Sequence, residues 1–234
     1  MLNEFELTGR ANTHVVPRRD LAATMHRDAV EPYLAMKSHA MLDGIYIEIV
    51  SAFRDLESQQ KIWDRKFRGE YPLYDMQGNV RDHAGLTEDE LVDAIICWSA
   101  VPGASRHHWG SEIDVIDLAA MPEGYRVRLV PEEVQVGGVF YALHQWLDAN
   151  MARFGFFRPY HTDRGGVHPE PWHLSYAPVS TIALDLLTPQ VVEAAVRASD
   201  MLGKTAVLER LCDIYPRYVA NVDAPTFPIL HGLT

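Results

Sequence analysis

Ser105-Arg106-His107-His108-Trp109-Gly110-Ser111-Glu112-Ile113-Asp114 runs directly into Val115-Ile116-Asp117-Leu118. From Ile113 to Leu118, acids alternate with aliphatic residues. That is the pattern of a strand buried on both faces except at Asp114 and Asp117, and a buried carboxylate needs a partner. A metal ion at Asp114 would turn that liability into a bond. A second stretch, His168-Pro169-Glu170-Pro171-Trp172-His173, concentrates the same kind of donor. Imidazole nitrogen and carboxylate oxygen are good zinc ligands, and a catalytic zinc takes three protein ligands and keeps one position for water. Pro171 keeps Glu170 and His173 out of a helix interior, and a regular strand would send residues three apart to opposite faces. A bend at Pro171 is required for both to face one site.

Working outward, Pro17 to Gly44 carries Leu21, Met25, Ala29, Tyr33, Met36 and Met41 at roughly helical spacing. This predicts one helix, bent near Pro32, with its methionines in the core. Ile45 to Val50 reads as a strand that delivers Arg54 just past its end. Leu56 to Phe67 reads as a helix, and the Gly, Pro, Asp and Asn of Arg68 to Gly85 read as a surface excursion, either a lid or a plain loop. Thr87 to Glu90 forms a capping box before the apolar run Leu91 to Trp98. Val139 to Phe154 is helical in period and stops at Gly155. Phe156-Phe157 and Trp172 to Tyr176 read as two strands of a hairpin. Thr188-Pro189 opens a helix over Val191 to Leu202, and another covers Thr205 to Ile214. The sum is an α+β fold, with a first unit over 1–180 and a helical C-terminal extension over 181–234 packed on the same domain.

With 234 residues, 47% of them hydrophobic, the chain can bury one substantial core without staples. A net charge of −11 argues against nucleic acid, whose nonspecific binding depends on clustered Lys and Arg. Cys97 and Cys212 read as two buried thiols, with no disulfide framework. The segment Met1 to Arg10 lacks the apolar core of a secretory signal, and no run is long enough for a transmembrane segment. A cytoplasmic location is the expectation as written; periplasmic or cell-wall action would need another export route.

The first stretch resembles the S-x-H-x-x-G-x-x-x-D signature of the VanY-type D-alanyl-D-alanine carboxypeptidases, and the second resembles their E-x-W-H signature, in the same order. Ser51-Ala52-Phe53-Arg54, with Gln59 and Gln60 downstream, is similar to that family's S-G-Y-R segment and its following Gln. Trp146 to Tyr160 resembles the helix and Y-G-F strand before the second signature. Ser111 and Glu112 depart from the small or apolar residues usual there. The resemblance covers about Ile47 to Tyr176 and leaves out 177–234. It implies a small antiparallel sheet with flanking helices, shared with the VanX dipeptidases and the hedgehog amino-terminal domain. It also implies one catalytic Zn2+ on His107, Asp114 and His173, with Glu170 as the base that activates water. Arg54 would engage a substrate carboxylate or a developing oxyanion, and His168 would stand near the reacting carbonyl. Gln59, Ser105 and Trp172 would line the substrate. The implied substrate is a peptidoglycan stem peptide or muropeptide.

Other readings compete. His108 could replace His107 by its adjacency, although motif register makes it a solvated neighbour. Asp117 could replace Asp114, although a buried strand acid is more often a hydrogen-bond acceptor. Arg54 could pair with Asp55 or Glu57 alone, and Trp172 could serve packing rather than substrate. His14, His26, His39, His83, His144, His161 and His231 lack partners at ligand spacing, with His161 the one closest to interest. A peptidoglycan L,D-endopeptidase, a cytoplasmic D,D-dipeptidase and a non-catalytic module with a structural zinc are the alternative functions. Glu170 favours an enzyme, because a structural site has no use for a base.

Overall fold

The computed structural model describes residues 1–229. His231 lies outside them. The chain opens with a short helix α1 (Glu4–Leu7), whose N-cap Asn3 and Glu6 form a capping box. Next comes a hairpin of β1 (Val15–Arg18) and β2 (Ala23–His26), then α2 (Arg27–Leu42). The single helix expected over Pro17 to Gly44 is therefore half right. Its first ten residues form the hairpin, which turns at Ala22 in the left-handed region (φ 49°). Leu21 and Met25 are buried from that hairpin, so their spacing imitated a helix. The helix runs on through Pro32. Met25 and Met36 fill the core as expected, whereas Met41 faces solvent.

The central sheet has the order β3 (Ile47–Ser51), then β6, β8 and β7, all antiparallel. Between β3 and β6 the chain forms α3 (Leu56–Phe67), the small ribbon β4 (Leu73–Tyr74) and β5 (Val80–Arg81), and α4 (Glu88–Ile96) behind its Thr87 capping box. The surface excursion is thus a two-stranded flap. After β6 (Glu112–Asp117) come α5 (Tyr141–Asn150), β7 (Phe156–Phe157), β8 (His173–Tyr176) and a run of helices: α6 (Ala177–Leu186), α7 (Pro189–Ala198), α8 (Lys204–Glu209) and α9 (Leu211–Ile214). No single helix among the described residues is long and apolar enough to cross a membrane.

Two hydrophobic clusters hold these layers. One joins α2, α5 and the sheet through Tyr33, Met36, Ile113, Val115, Leu147 and Leu174. The other joins α3 and α4 to the C-terminal helices through Trp63, Ile95, Val192, Val196, Val207 and Ile214. Trp63 also donates its indole N–H to the Leu202 carbonyl at 2.9 Å, and the Leu202 N–H donates to Asp64 at 2.9 Å. The C-terminal helices therefore hold α3, and α3 walls the site described next. Of the two cysteines, Cys97 is half-buried but Cys212 is exposed, against expectation: α9 turns Leu211 and Ile214 inward and Cys212 outward.

Candidate metal centre

The register of β6 on β8 sets Asp114 opposite His173 and Glu112 opposite Ser175. Residues two apart on a strand share a face, so Glu112, Asp114, His173 and Ser175 all stand on one face of the sheet. His107 reaches the same point from the 3-10 turn Arg106–Trp109. Gly110 ends that turn at φ 67°, and its carbonyl accepts the His26 N–H at 2.7 Å. A Cβ there would lie 2.4 Å from a Val15 methyl, which is a physical reason for glycine at this place in the signature.

One donor atom from each of His107, Asp114 and His173 lies within 4.8 Å of the others. His107 Nε2 is 3.4 Å from Asp114 Oδ2, and His173 Nδ1 is 3.1 Å from Asp114 Oδ1. The latter approach is too oblique for a hydrogen bond, so Asp114 Oδ1 is buried without a hydrogen-bond partner. A carboxylate with one orphaned oxygen and an imidazole nitrogen beside each of its two oxygens is what a tetrahedral divalent cation satisfies, and the donor set fits zinc. The far nitrogens agree: His107 Nδ1 donates to the Ala52 carbonyl at 2.7 Å, and His173 Nε2 donates to Glu112 at 2.9 Å. Each ring thereby turns its other nitrogen to the common point.

The bend at Pro171 is present. The His173 N–H donates to the Glu170 carbonyl at 3.0 Å, closing a turn with Pro171 second in it. That turn carries Glu170 Oε2 to 3.7 Å from His173 Nδ1. Burial, reinforced by Asp114, outweighs the pull of His173 and raises the Glu170 carboxyl from 4.5 to about 7. Asp114 is held low despite its burial, by His107 and His173. His173 is raised to about 9 because Asp114 and Glu112 outweigh its burial, while burial and Arg54 hold His107 low.

Arg54 does not pair with Asp55 or Glu57. Its Nη1 donates to Gln59 at 2.7 Å, Gln59 in turn donates to the Ala100 carbonyl at 2.8 Å, and the guanidinium faces Asp114 and Glu170 with its Nε unpaired. A cavity of about 310 Å³ opens here, lined by Arg54, Gln59, Ser105, His107, Asp114, Glu170, Trp172 and His173 among others. Trp172 is buried and lies parallel to Trp98 at 6.4 Å while lining the cavity, so packing and substrate contact are compatible.

Of the residues the resemblance assigns a metal, catalytic or substrate role, His168 alone stands apart: its ring packs against Trp98 at 5.0 Å and does not line the cavity. His108 is fully buried, not solvated. Its Nδ1 donates to the Arg54 carbonyl at 2.7 Å and its Nε2 accepts the Gly103 N–H at 3.1 Å, so it braces the loop that carries Arg54. Asp117 accepts from the Tyr46 and Ala119 N–H groups, the structural role expected of it. His161 is exposed, its backbone N–H tied to Asp223. Lys66 was missed. It falls four residues after Ile62 and seven after Gln59, so all three line the cavity from one face of α3, and its ammonium donates to Ser99 Oγ at 2.6 Å.

A cation site on a sheet face, with a carboxyl of raised pKa above it and an arginine beside it, defines a metallopeptidase-type centre. The comparisons agree. The family model described as VanY, D-alanyl-D-alanine carboxypeptidase, matches residues 22–179, and the chain belongs to that family. An uncharacterised protein of Haemophilus influenzae is 33% identical over 127 residues, which are 53% of this chain and 95% of that one. A D-alanyl-D-alanine carboxypeptidase of Enterococcus faecalis is 32% identical over 151 residues, 63% of this chain but only 46% of the longer relative. Among solved structures, a mutant of the vancomycin-resistance D,D-pentapeptidase VanY in complex with Zn(II) is 25% identical with a TM-score of 0.52, covering 74% of this chain and 83% of its own. VanYB in complex with D-alanine-D-alanine shares the fold at 23% identity and a TM-score of 0.53, with 82% and 92% covered.

Proposed function

We propose that this chain is a zinc-dependent D-alanyl-D-alanine carboxypeptidase that trims peptidoglycan stem peptides, with His107, Asp114 and His173 holding the metal and Glu170 as general base. The observation that carries this reading is Glu170 standing over the donor triad, its Oε2 3.7 Å from His173 Nδ1 and lining the same cavity, where it can take a proton from a water at the metal. When bound, zinc lowers the pKa of water and polarises a carbonyl. Glu170 takes a proton from the attacking water as the new C–O bond forms. It then hands that proton to the departing amine nitrogen as the C–N bond breaks, so one water is added and a free D-alanine leaves. Arg54 faces the charge that develops on the carbonyl oxygen and is held there by Gln59. The carboxylate of a C-terminal residue finds the ammonium of Lys66 in the same cavity, which Ser105 and Trp172 also line.

The test is incubation of zinc-loaded protein with defined stem peptides, read by mass spectrometry. Release of terminal D-alanine is expected. Cleavage only at internal bonds would replace the carboxypeptidase by an endopeptidase, and no cleavage of any peptide would leave the non-catalytic zinc module.

A further inference from the structure

Glu112, with Ser111, is where the first signature departs from the family pattern it resembles, and the catalytic reading makes no use of it. It is fully buried, and a buried carboxylate persists only when its oxygens are satisfied. Its partners are unusually complete. Arg106 Nε donates to it at 3.2 Å and Arg106 Nη2 at 3.4 Å; Ser111 and Ser175 donate their hydroxyl groups at 3.1 and 2.8 Å. The remaining partner is His173 Nε2 at 2.9 Å, on the ring whose Nδ1 faces Asp114. Neutralising Arg106 alone would not demand that contact.

The two imidazoles of the centre are therefore backed differently. His107 leans on a neutral backbone carbonyl and His173 on a carboxylate. Both backings select a tautomer, but only an ionised one adds negative charge to the ring and strengthens the donor on its far side. Arg106 gives this carboxylate a buried cationic partner, its Nε 3.2 Å from Glu112 Oε2. Arg106 is itself held, its guanidinium 4.7 Å above the Trp109 ring.

We infer that Glu112 is a positioning residue for the metal: from behind His173 it fixes the ring as an Nδ1 donor and raises its affinity for the cation. This inference rests on the metal reading proposed above, and the experiment separates the two.

Metal-free wild type, Glu112→Gln and Glu112→Asp are titrated with zinc against a chromophoric chelator, with near-UV circular dichroism to confirm folding. Glu112→Gln keeps the shape and an acceptor but removes the charge. Glu112→Asp keeps the charge beside Arg106 but withdraws it from Nε2. Both are expected to bind zinc about 10- to 100-fold more weakly than wild type. The visible spectrum of the cobalt-substituted site is expected to shift in both, which a merely structural carboxylate would not cause. If the folded variants bind zinc within about twofold of wild type, this inference alone is overturned. If the wild type takes up no zinc, the metallopeptidase reading falls and takes this one with it. Should Glu112→Gln not fold, Glu112→Asp decides. Independently of any variant, nitrogen-15 NMR of the zinc-loaded wild type is expected to show a protected proton on His173 Nε2, and a rapidly exchanging or absent proton there overturns the inference.

Discussion

Glu170→Gln separates what this carboxyl contributes to chemistry from what it does to stability. The side chain is only 14% exposed, and its pKa rises from 4.5 to about 7. At about 1.4 kcal/mol per pKa unit, that rise is roughly 3 kcal/mol. In the unfolded chain the group ionises near 4.5, whereas the folded, metal-free protein keeps its proton until about 7. Between those values the folded state binds more protons, so stability falls as pH rises, and the full penalty is present above 7. Glutamine carries no such penalty. Chelator-treated Glu170→Gln is therefore expected to exceed wild type by roughly 3 kcal/mol in urea unfolding at pH 8, and by less than about 1 kcal/mol at pH 5. The same variant, zinc-loaded, is expected to lose about 10²- to 10⁴-fold in kcat for release of D-alanine from a stem peptide. A variant that retains activity within tenfold, or gains nothing at pH 8, would falsify the placement of a desolvated base over the metal.

Lys66 is lowered to about 8 by burial and by Arg54, against the pull of Glu170. Lys66→Met is expected to raise KM by roughly tenfold for peptides with a free C-terminus and to leave carboxamide-capped peptides unchanged. Its charge fades above about pH 8, so kcat/KM should fall there in wild type but not in Lys66→Arg, where arginine stays ionised. His26 and His108 are lowered to about 4 and His144 to about 3, in each case first by burial. Their folded values lie below the ordinary 6.5, so all three take up protons on unfolding, opposed by the one that Glu170 holds. Stability is expected to fall as pH drops below 6.5, by up to about 3 kcal/mol per pH unit near pH 5; equal urea midpoints at pH 7 and 5 would contradict this. Gly110→Ala, forced against Val15 and the His26 backbone, is expected to lose at least about 2 kcal/mol in thermal melts, and an unchanged melting temperature would contradict this.

The burial of Asp114 on a strand and the bend at Pro171 were legible from local rules, whereas the choice of His107 over His108, and of Glu170 as the candidate base, came only from the motif resemblance. Helix α3 was readable to the residue, since Asp55 caps it and nothing competes. The hairpin β1–β2 was not, because Leu21 and Met25 bury from a strand and its turn at the same spacing a helix would use. His108 escaped for a different reason: its burial depends on Gly103 and Arg54, contacts between segments far apart in the chain. Glu112 was visible only as an anomaly. Its position two residues before Asp114 placed it on the metal face, but its partner His173 lies 61 residues away, across the sheet.

His107 follows Ala104 and precedes Trp109, both packed in the helix-rich cluster, whereas Asp114 and His173 are flanked by Ile113, Val115 and Leu174 of the sheet cluster. Any ion these three share is thus a rivet between two bodies of oil. Grip on the ion and alignment of the bodies become a single equilibrium: a change deep in either core, far from any donor atom, will register as altered metal retention, and loading the metal will tighten both cores at once.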